Sequence, residues 1–594
     1  MLRKINRLLP VCLMLALVVT VAACGRGNND PEPTPGGTPQ QTATPAPAPT
    51  PQLQETVIDP VEPELNLVIV PPASADPVSG PNVGPRTASG FQPLSTLPAD
   101  TVGEITILAG GDHGLFRDIV NNPPEFTSDN WGALLVNYTA AKAFNELYPN
   151  VIFNVMSVNY YKNTDEVTFS QGLLNSQAQW GILPDIWETH SLVLHVLQGE
   201  VSDLSRYRNE ASFGVFNPAL MDMMNYNGAQ MGLPAWFGSW ATTINIDLAE
   251  SLNIPVPPLN WNYDQYVDFI SQADMVNVIG DIQTIGSWLG IGARDIAWSA
   301  THNGYVNFDT PEVRRLIDLE HRTGAFTVYP SNWNVQSVET LLNEYWWWAP
   351  YMFASDVLLA NSWGGWDYGN HANPGGGNAW ALYMPGRWDM WPVPGSGEMG
   401  PSLSTVFDPV VIRNFTGQAN ADLQLDLTYA FAAFLYGSVE GTRARHVEGV
   451  YVTNEEGERV FYTSVSDSWP VVRAPYFDQH MEIWYESQSD LFRTLPGFQN
   501  ILRLLAEGQI WNMDARTFPD EFVRDGQIVN AFADWNDRME ESVAGVPFSD
   551  PAWPDRVKAR LAEWTETTNH GLQLANQAIR DAMARFYGYE FRYE

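Results

Sequence analysis

Cysteine is nearly missing from this chain. Cys12 and Cys24 are the only two in 594 residues, and both lie in the first 24. Everything downstream therefore folds without a disulfide or a cysteine-held metal. Positive charge is also scarce: 31 lysines and arginines face 68 acids, for a net charge of −37. A broad nucleic-acid or anionic-membrane surface needs clustered cations, so both partners are excluded. The acids are spread along the chain, which serves solubility. Long apolar runs are limited to Leu8–Val21, too short for a comfortable span of ~20 residues. Three catalytic signatures are missing too: a Gly-x-Ser-x-Gly elbow, a His-Glu-x-x-His pair and a Walker loop. Acidic pairs that hydrolyse glycosides cannot be placed from sequence, because their separation is a tertiary quantity.

What is present begins with an address. Arg3, Lys4 and Arg7 precede the apolar run, and Val21-Ala22-Ala23-Cys24 follows it. A basic start, a short apolar stretch and small residues before a cut describe a secretory signal over residues 1–23. The last four residues resemble the bacterial lipobox, which implies lipidation of Cys24 and an anchor on the extracytoplasmic face of the membrane. An ordinary signal or anchor helix with an incidental cysteine is the alternative. Residues 24–100 read as a disordered linker, with 17 of the 43 prolines and one aromatic, Phe91. Such composition buries too little apolar surface to offset ordering entropy. Leu65–Val70 is apolar enough to pair as a short strand.

From Thr101 strands and helices alternate. Glu104–Ala109 and Val151–Val158 read as strands, Trp131–Tyr148 and Phe169–Gln179 as helices, and Leu183–Ile186 as another strand end. That order implies βαβ units and a mostly parallel sheet, with ligand sites beyond the strands' carboxyl ends. Gly110–His113 and Trp187–His190 fall there. Val450–Thr463, around Asn454-Glu455-Glu456-Gly457, reads as a hairpin whose acids lack calcium-loop spacing. Asp555–Trp564 and Gly571–Phe586 read as helices. His190 and His195, five apart, share no helical face well and read as structural.

Six segments, in order over roughly residues 104–445, resemble the carbohydrate-binding type of extracellular solute-binding protein (family 1) of bacterial ABC importers. They are Leu183-Pro184-Asp185 with Gly199 and Asp203-Leu204; Asn227–Pro234; and Thr243-Ile244-Asn245 with Asp247-Leu248. Pro257-Pro258 with Trp261, Tyr266 and Phe269 follows, although Asn260 stands where threonine is usual. Asp309–Phe326 and Leu427–Gly441 complete the series. The run Tyr345–Trp348, the glycine-rich Asn373–Asn378 and the long region 475–594 depart from the pattern.

The resemblance implies an α/β fold of two lobes joined by a hinge, here with an extended helical C-terminal region. The lobes are expected at 101–243 with 406–470 and at 244–405 with 471–594. It implies a non-enzymatic, monomeric receptor without cofactor, whose partners are a carbohydrate, an oligosaccharide given the aromatic content, and the subunits of a membrane permease. A receptor for another solute such as a peptide or polyol, or a glycan-active enzyme or adhesion lipoprotein, are the rival readings. A sugar offers a C–H face to aromatics and a hydroxyl rim to carboxylates, amides and arginines. The candidates are Trp236 and Trp240 around Gly238; Trp363 and Trp366 with Asn361 and Asp367; Asp112 and His113; Glu188; Trp298; and Arg387. Core packing is the competing role for the tryptophans, and Asp185 is expected to hold its local turn. If Cys24 is the anchor, Cys24→Ser should release the protein into the soluble fraction with its ligand affinity unchanged. Retention on membranes, or a loss of affinity, would contradict it.

Overall fold

The strand β1 (Gly103–Gly110) sets Ile105, Ile107, Leu108 and Ala109 around a single buried Thr106. Its five central residues are all buried, as a strand covered on both faces requires. The computed structural model describes residues 67–72, 78–110, 114–127, 131–158, 180–281, 306–311, 314, 352–353, 355–364, 386–395, 400–454, 457–463, 468–511, 521–524, 527–530 and 550–593. β1 runs parallel to β2 (Val151–Val158) along its full length and parallel to β3 (Ile186–Glu188) at Ile107. The helix α1 (Trp131–Asn145) makes the crossover between β1 and β2. These elements match the alternation expected from sequence; Phe169–Gln179 lies outside the described residues.

Beyond β3 the sheet turns antiparallel. β4 (Leu233–Asn245) is 13 residues long, about 43 Å at ~3.3 Å per residue. It is flanked on one side by β8 (Leu403–Ile412) and on the other by β6 (Leu358–Gly364). β5 (Ile279–Asp281) runs parallel to β6, and β7 (Trp388–Trp391) pairs with the far end of β4. β8 also pairs antiparallel with β3, which joins the two halves into a mixed sheet of ten strands among the described residues. The α/β class is as expected.

Among the described residues, two hydrophobic cores lie along this sheet. The larger contains Ala235, Phe237 and Ala241 of β4, with β1, β2, α1 and the helix α4 (Ala421–Gly437). Phe431 and Phe434 of α4 stack edge-on against Phe144 of α1. The smaller gathers Ile244, Trp261, Tyr266, Phe269, Leu359 and Trp391. Its helix α3 (Tyr263–Ser271) starts at a capping box between Asn262 and Gln265. The Tyr266 hydroxyl donates to Asp281 (3.0 Å), which also accepts from the Ser362 amide (3.0 Å) and hydroxyl (2.6 Å). A buried carboxylate is tolerable only with such partners.

Three expectations are corrected. Residues 78–100 are not linker: Leu94 and Leu97 are buried in the larger core. The Ser95 amide and hydroxyl donate to Glu210 (3.0 and 2.8 Å), and those of Ser89 donate to Glu440 (2.7 and 2.9 Å). Leu67–Val70 pairs antiparallel with Glu590–Tyr593. Proline fixes an extended path here, and a few apolar side chains dock it. Second, residues 471–505 do not segregate with the smaller core. α6 (Phe477–Ser487) and α7 (Pro496–Ala506) put Phe477, Trp484, Phe498 and Ile501 into the larger one. Asp389 of β7 caps α7, accepting from the amides of Gly497 (2.6 Å) and Phe498 (3.1 Å). Third, the sheet is mixed rather than mostly parallel, because β4 runs antiparallel to both β6 and β8, and β8 antiparallel to β3. Asp555–Trp564 and Gly571–Phe586 are helical as expected, within one helix α8 (Trp553–Tyr587) buried at Val557, Leu561, Trp564, Thr568, Leu572, Ala575 and Ile579. That stripe recurs every three or four residues along the helix.

Packing of α6 on α5 (Val439–His446) generates a pH dependence. His480 is buried with its Nδ1 2.7 Å from the Thr442 hydroxyl. Burial pushes its pKa from 6.5 down to about 4, with Glu440 pulling it up and Arg445 pushing it down. A lowered histidine leaves stability intact above pH ~6.5 and removes it as pH falls toward 4. The loss at pH 4.5 should be about 2–3 kcal/mol. Burial raises Asp185, Asp389 and Asp426, whose contributions run the opposite way. Urea unfolding of wild type and His480→Gln at pH 7 and 4.5 isolates the histidine. The wild type should lose more by that amount, and equal losses would contradict the assignment.

Candidate functional site

The long strand β4 is buried at every position but two. Trp236 and Trp240 alone are half-open, four residues apart. Side chains alternate along a strand, so positions 236, 238 and 240 share one face. Gly238 sits between the tryptophans, and the Trp236 indole lies over it. A Cβ built at 238 would come 3.0 Å from Cη2 and 3.4 Å from Cζ3 of that ring. The missing side chain lets the indole extend along the strand toward Trp240. An aromatic strip results, with Trp240 packed against the smaller core.

Neighbouring strands supply the polar edge. In the β4–β8 register Asp408 stands opposite Trp236 and Ser404 opposite Trp240, with a register shift directly after Asp408. Asp408 Oδ1 is 3.2 Å from Nε2 of His190, whose side chain is 25% exposed. His190 follows β3, where the Thr189 amide donates to the Pro409 carbonyl (2.9 Å) and Glu188 opposes Val410. His190, Asp408 and Trp236 thus form a row across three chain segments. Glu188, on the same side as His190 by the two-residue period, accepts from the Tyr436 hydroxyl at 2.8 Å. Behind it the Arg445 guanidinium faces the Tyr436 ring at 4.4 Å and is itself buried. The face therefore combines an apolar strip with two carboxylates and an imidazole. That suits a ligand with one apolar surface and a rim of hydroxyls.

The remaining sequence candidates fall elsewhere or cannot be placed. Asn361 is 3% exposed and stands opposite Thr243, an odd position of β4, away from the face of Trp236 and Trp240. Trp363 is opposite Ala241 in register; its side chain lies outside the description. Arg387 is exposed and paired with Asp247 (2.8 Å) and Glu250, which raise its pKa further. It ties the start of β7 to the helix Ile246–Ser251. Asp185 is buried in its turn, accepting from the Thr106 amide (2.8 Å) and paired with Arg413 (2.5 Å). Asp112, His113, Trp298, Trp366, Asp367 and Cys24 lie outside the described residues.

Sequence reading placed His190 at the expected rim but took it as structural, and it missed Asp408, Tyr436 and Arg445. The two-residue step from Glu188 to His190 was a usable signal that the two share a face. Asp408 and Tyr436 reach the face only through strand pairing and helix packing. Among the described residues no group of three or more His, Cys, Asp or Glu could hold a metal ion, and no helix is long and apolar enough to cross a membrane.

No family model and no curated protein matches the chain. Solved structures do. An ABC substrate-binding protein from Listeria monocytogenes in complex with cycloalternan is 13% identical, with a TM-score of 0.42, covering 82% of this chain and 98% of its own. An extracellular solute-binding protein of family 1 from Alicyclobacillus acidocaldarius is 12% identical, with a TM-score of 0.47, covering 81% and 99%. The galacto-N-biose/lacto-N-biose I-binding protein of an ABC transporter from Bifidobacterium longum, in complex with lacto-N-biose, is 14% identical, with a TM-score of 0.44, covering 80% and 98%. The chain is thus similar, over about four-fifths of its length, to solute-binding proteins of ABC transporters.

Proposed function

We propose that this protein is a lipid-anchored extracytoplasmic receptor that captures a carbohydrate and passes it to a separate ABC permease. The observation that carries the reading is the strip Trp236–Gly238–Trp240, open on a strand otherwise buried and edged by Asp408, His190 and Glu188. Aromatic faces cover the C–H surface of a sugar, and carboxylates take its hydroxyl protons, which would be costly to leave unpaired. The six ordered sequence segments support the same reading.

Trp240 packs on the smaller core, while Ala235 and Phe237, the chain neighbours of Trp236, enter the larger one from the opposite face of β4. A ligand lying along the strip would favour whichever arrangement lets it reach both tryptophans, a population shift driven by differential affinity. The length of the strip favours an oligosaccharide over a single ring. Cys24 and the residues following it would keep the receptor close to its permease. Binding without turnover is the expected chemistry.

Thermal denaturation of the purified protein against a panel of oligosaccharides tests this. A true ligand at 100 times its dissociation constant should add ~2.7 kcal/mol of stability. Trp236→Ala should weaken that ligand about tenfold, close to one aromatic contact, with the unliganded melting temperature little changed. Release of sugar products from any panel member would overturn the receptor reading in favour of an enzyme. Failure of every carbohydrate to stabilise would point to another solute.

A further inference from the structure

The face just described is aimed from behind. In the segment Trp187–Ser191, Trp187, Thr189 and Ser191 are buried, while Glu188 and His190 face outward. The two inward side chains nearest the rim converge on one atom. The Trp187 indole N–H donates to Nε2 of His195 (3.4 Å), and the Thr189 hydroxyl lies 3.0 Å from the same nitrogen. Thr189 Oγ1 already accepts from the Ser191 amide (2.9 Å), which leaves its proton to give. An indole can only donate, so Nε2 must be the acceptor and Nδ1 must carry the proton. Nδ1 is 2.6 Å from a Glu200 carboxylate oxygen, which accepts that proton's hydrogen bond.

Glu200 is fixed in turn. Its amide donates to the His195 carbonyl (2.9 Å), past the left-handed Gly199 that ends α2 (Leu192–Gln198). A Cβ at Gly199 would lie 2.5 Å from Cγ of Phe586, so α8 closes over this turn. We propose that His195 is a positioning residue for the ligand face: by holding Trp187 and Thr189 from the inside, it sets where Glu188 and His190 point on the outside. The claim rests on the reading that the Trp236 strip takes ligand, but it concerns the rim alone. It also gives the long C-terminal helix a role, as the backing of the turn that carries Glu200.

The test compares full-length wild type, His195→Leu and His195→Gln. Glutamine keeps one acceptor and one donor on a similar stem; leucine keeps neither. Two readouts are used, both under conditions where each variant is folded by circular dichroism. The first is the ring C–H resonance of His190 in heteronuclear NMR, assigned with His190→Gln and needing no ligand. It should shift by more than its linewidth in His195→Leu and return toward wild type in His195→Gln. The second is the dissociation constant for maltotetraose, expected to rise about tenfold in the leucine variant, the scale of one lost buried hydrogen bond, and to recover in the glutamine variant. An unchanged His190 resonance in His195→Leu overturns the proposal. If wild type itself ignores maltotetraose, that counts against this ligand for the receptor, and the His190 resonance still decides whether His195 sets the rim.

Discussion

The pairing of β4 with β8 is the constraint on which the rest depends. From Leu233↔Val410 to Trp240↔Ser404, this antiparallel ladder holds together segments some 170 residues apart in sequence. β8 carries the register onward to β3, and β4 carries it to β6 and β7. Remove it and the parallel half of the sheet has no fixed relation to the antiparallel half. A one-residue slip would be as damaging as separation, because the side-chain period is two. Trp236 and Trp240 would turn inward, and Asp408 would leave His190. The register shift after Asp408 is where a bulge can re-aim a side chain at the edge of a site.

Around that ladder, buried carboxylates act as joints between distant segments. Asp185 accepts from Thr106, Asp281 from Ser362, and Asp389 from the first turn of α7. Each carries the cost of desolvation, which raises Asp185 and Asp389 above the ordinary carboxylate range despite their donors. The reward is directional. A backbone amide with a fixed partner specifies which strand or helix end sits where, while apolar packing alone tolerates sliding. The buried Glu210 and the half-buried Glu440 do the same, each holding a serine amide and hydroxyl of the segment 78–100.

That segment shows how composition and fate can separate. Residues 24–100 are proline-rich throughout, although the acids concentrate before Leu67 and the one aromatic, Phe91, comes after Val78. Two leucines, Leu94 and Leu97, anchor residues 78–100 by entering the larger core. The C-terminal region is a similar case. Its apolar stripe is visible in the sequence, but the surface it covers, α2 and the turn at Gly199, is known only once the chain is folded.

Local pattern by itself determined a good deal of this protein. The runs at Glu104–Ala109 and Val151–Val158, the helix from Trp131 and the hairpin around Asn454 are set by interactions within a few residues. So is the order of elements that makes the fold α/β. It also singled out Trp236, Trp240 and Glu188, since an aromatic pair around a glycine and an acid at a strand end carry their own chemistry. Only the tertiary structure decided which of the candidates share a face. Asn361 and Trp240 lie on neighbouring strands, yet the pleat puts Asn361 on the other side of the sheet from Trp240. Asp408, Tyr436 and His195 acquire their roles through pairing and packing across distances of up to about 250 residues, where no local periodicity reaches. The physical reason is that period and propensity act over one turn or one strand, whereas a binding face is built from the register between strands.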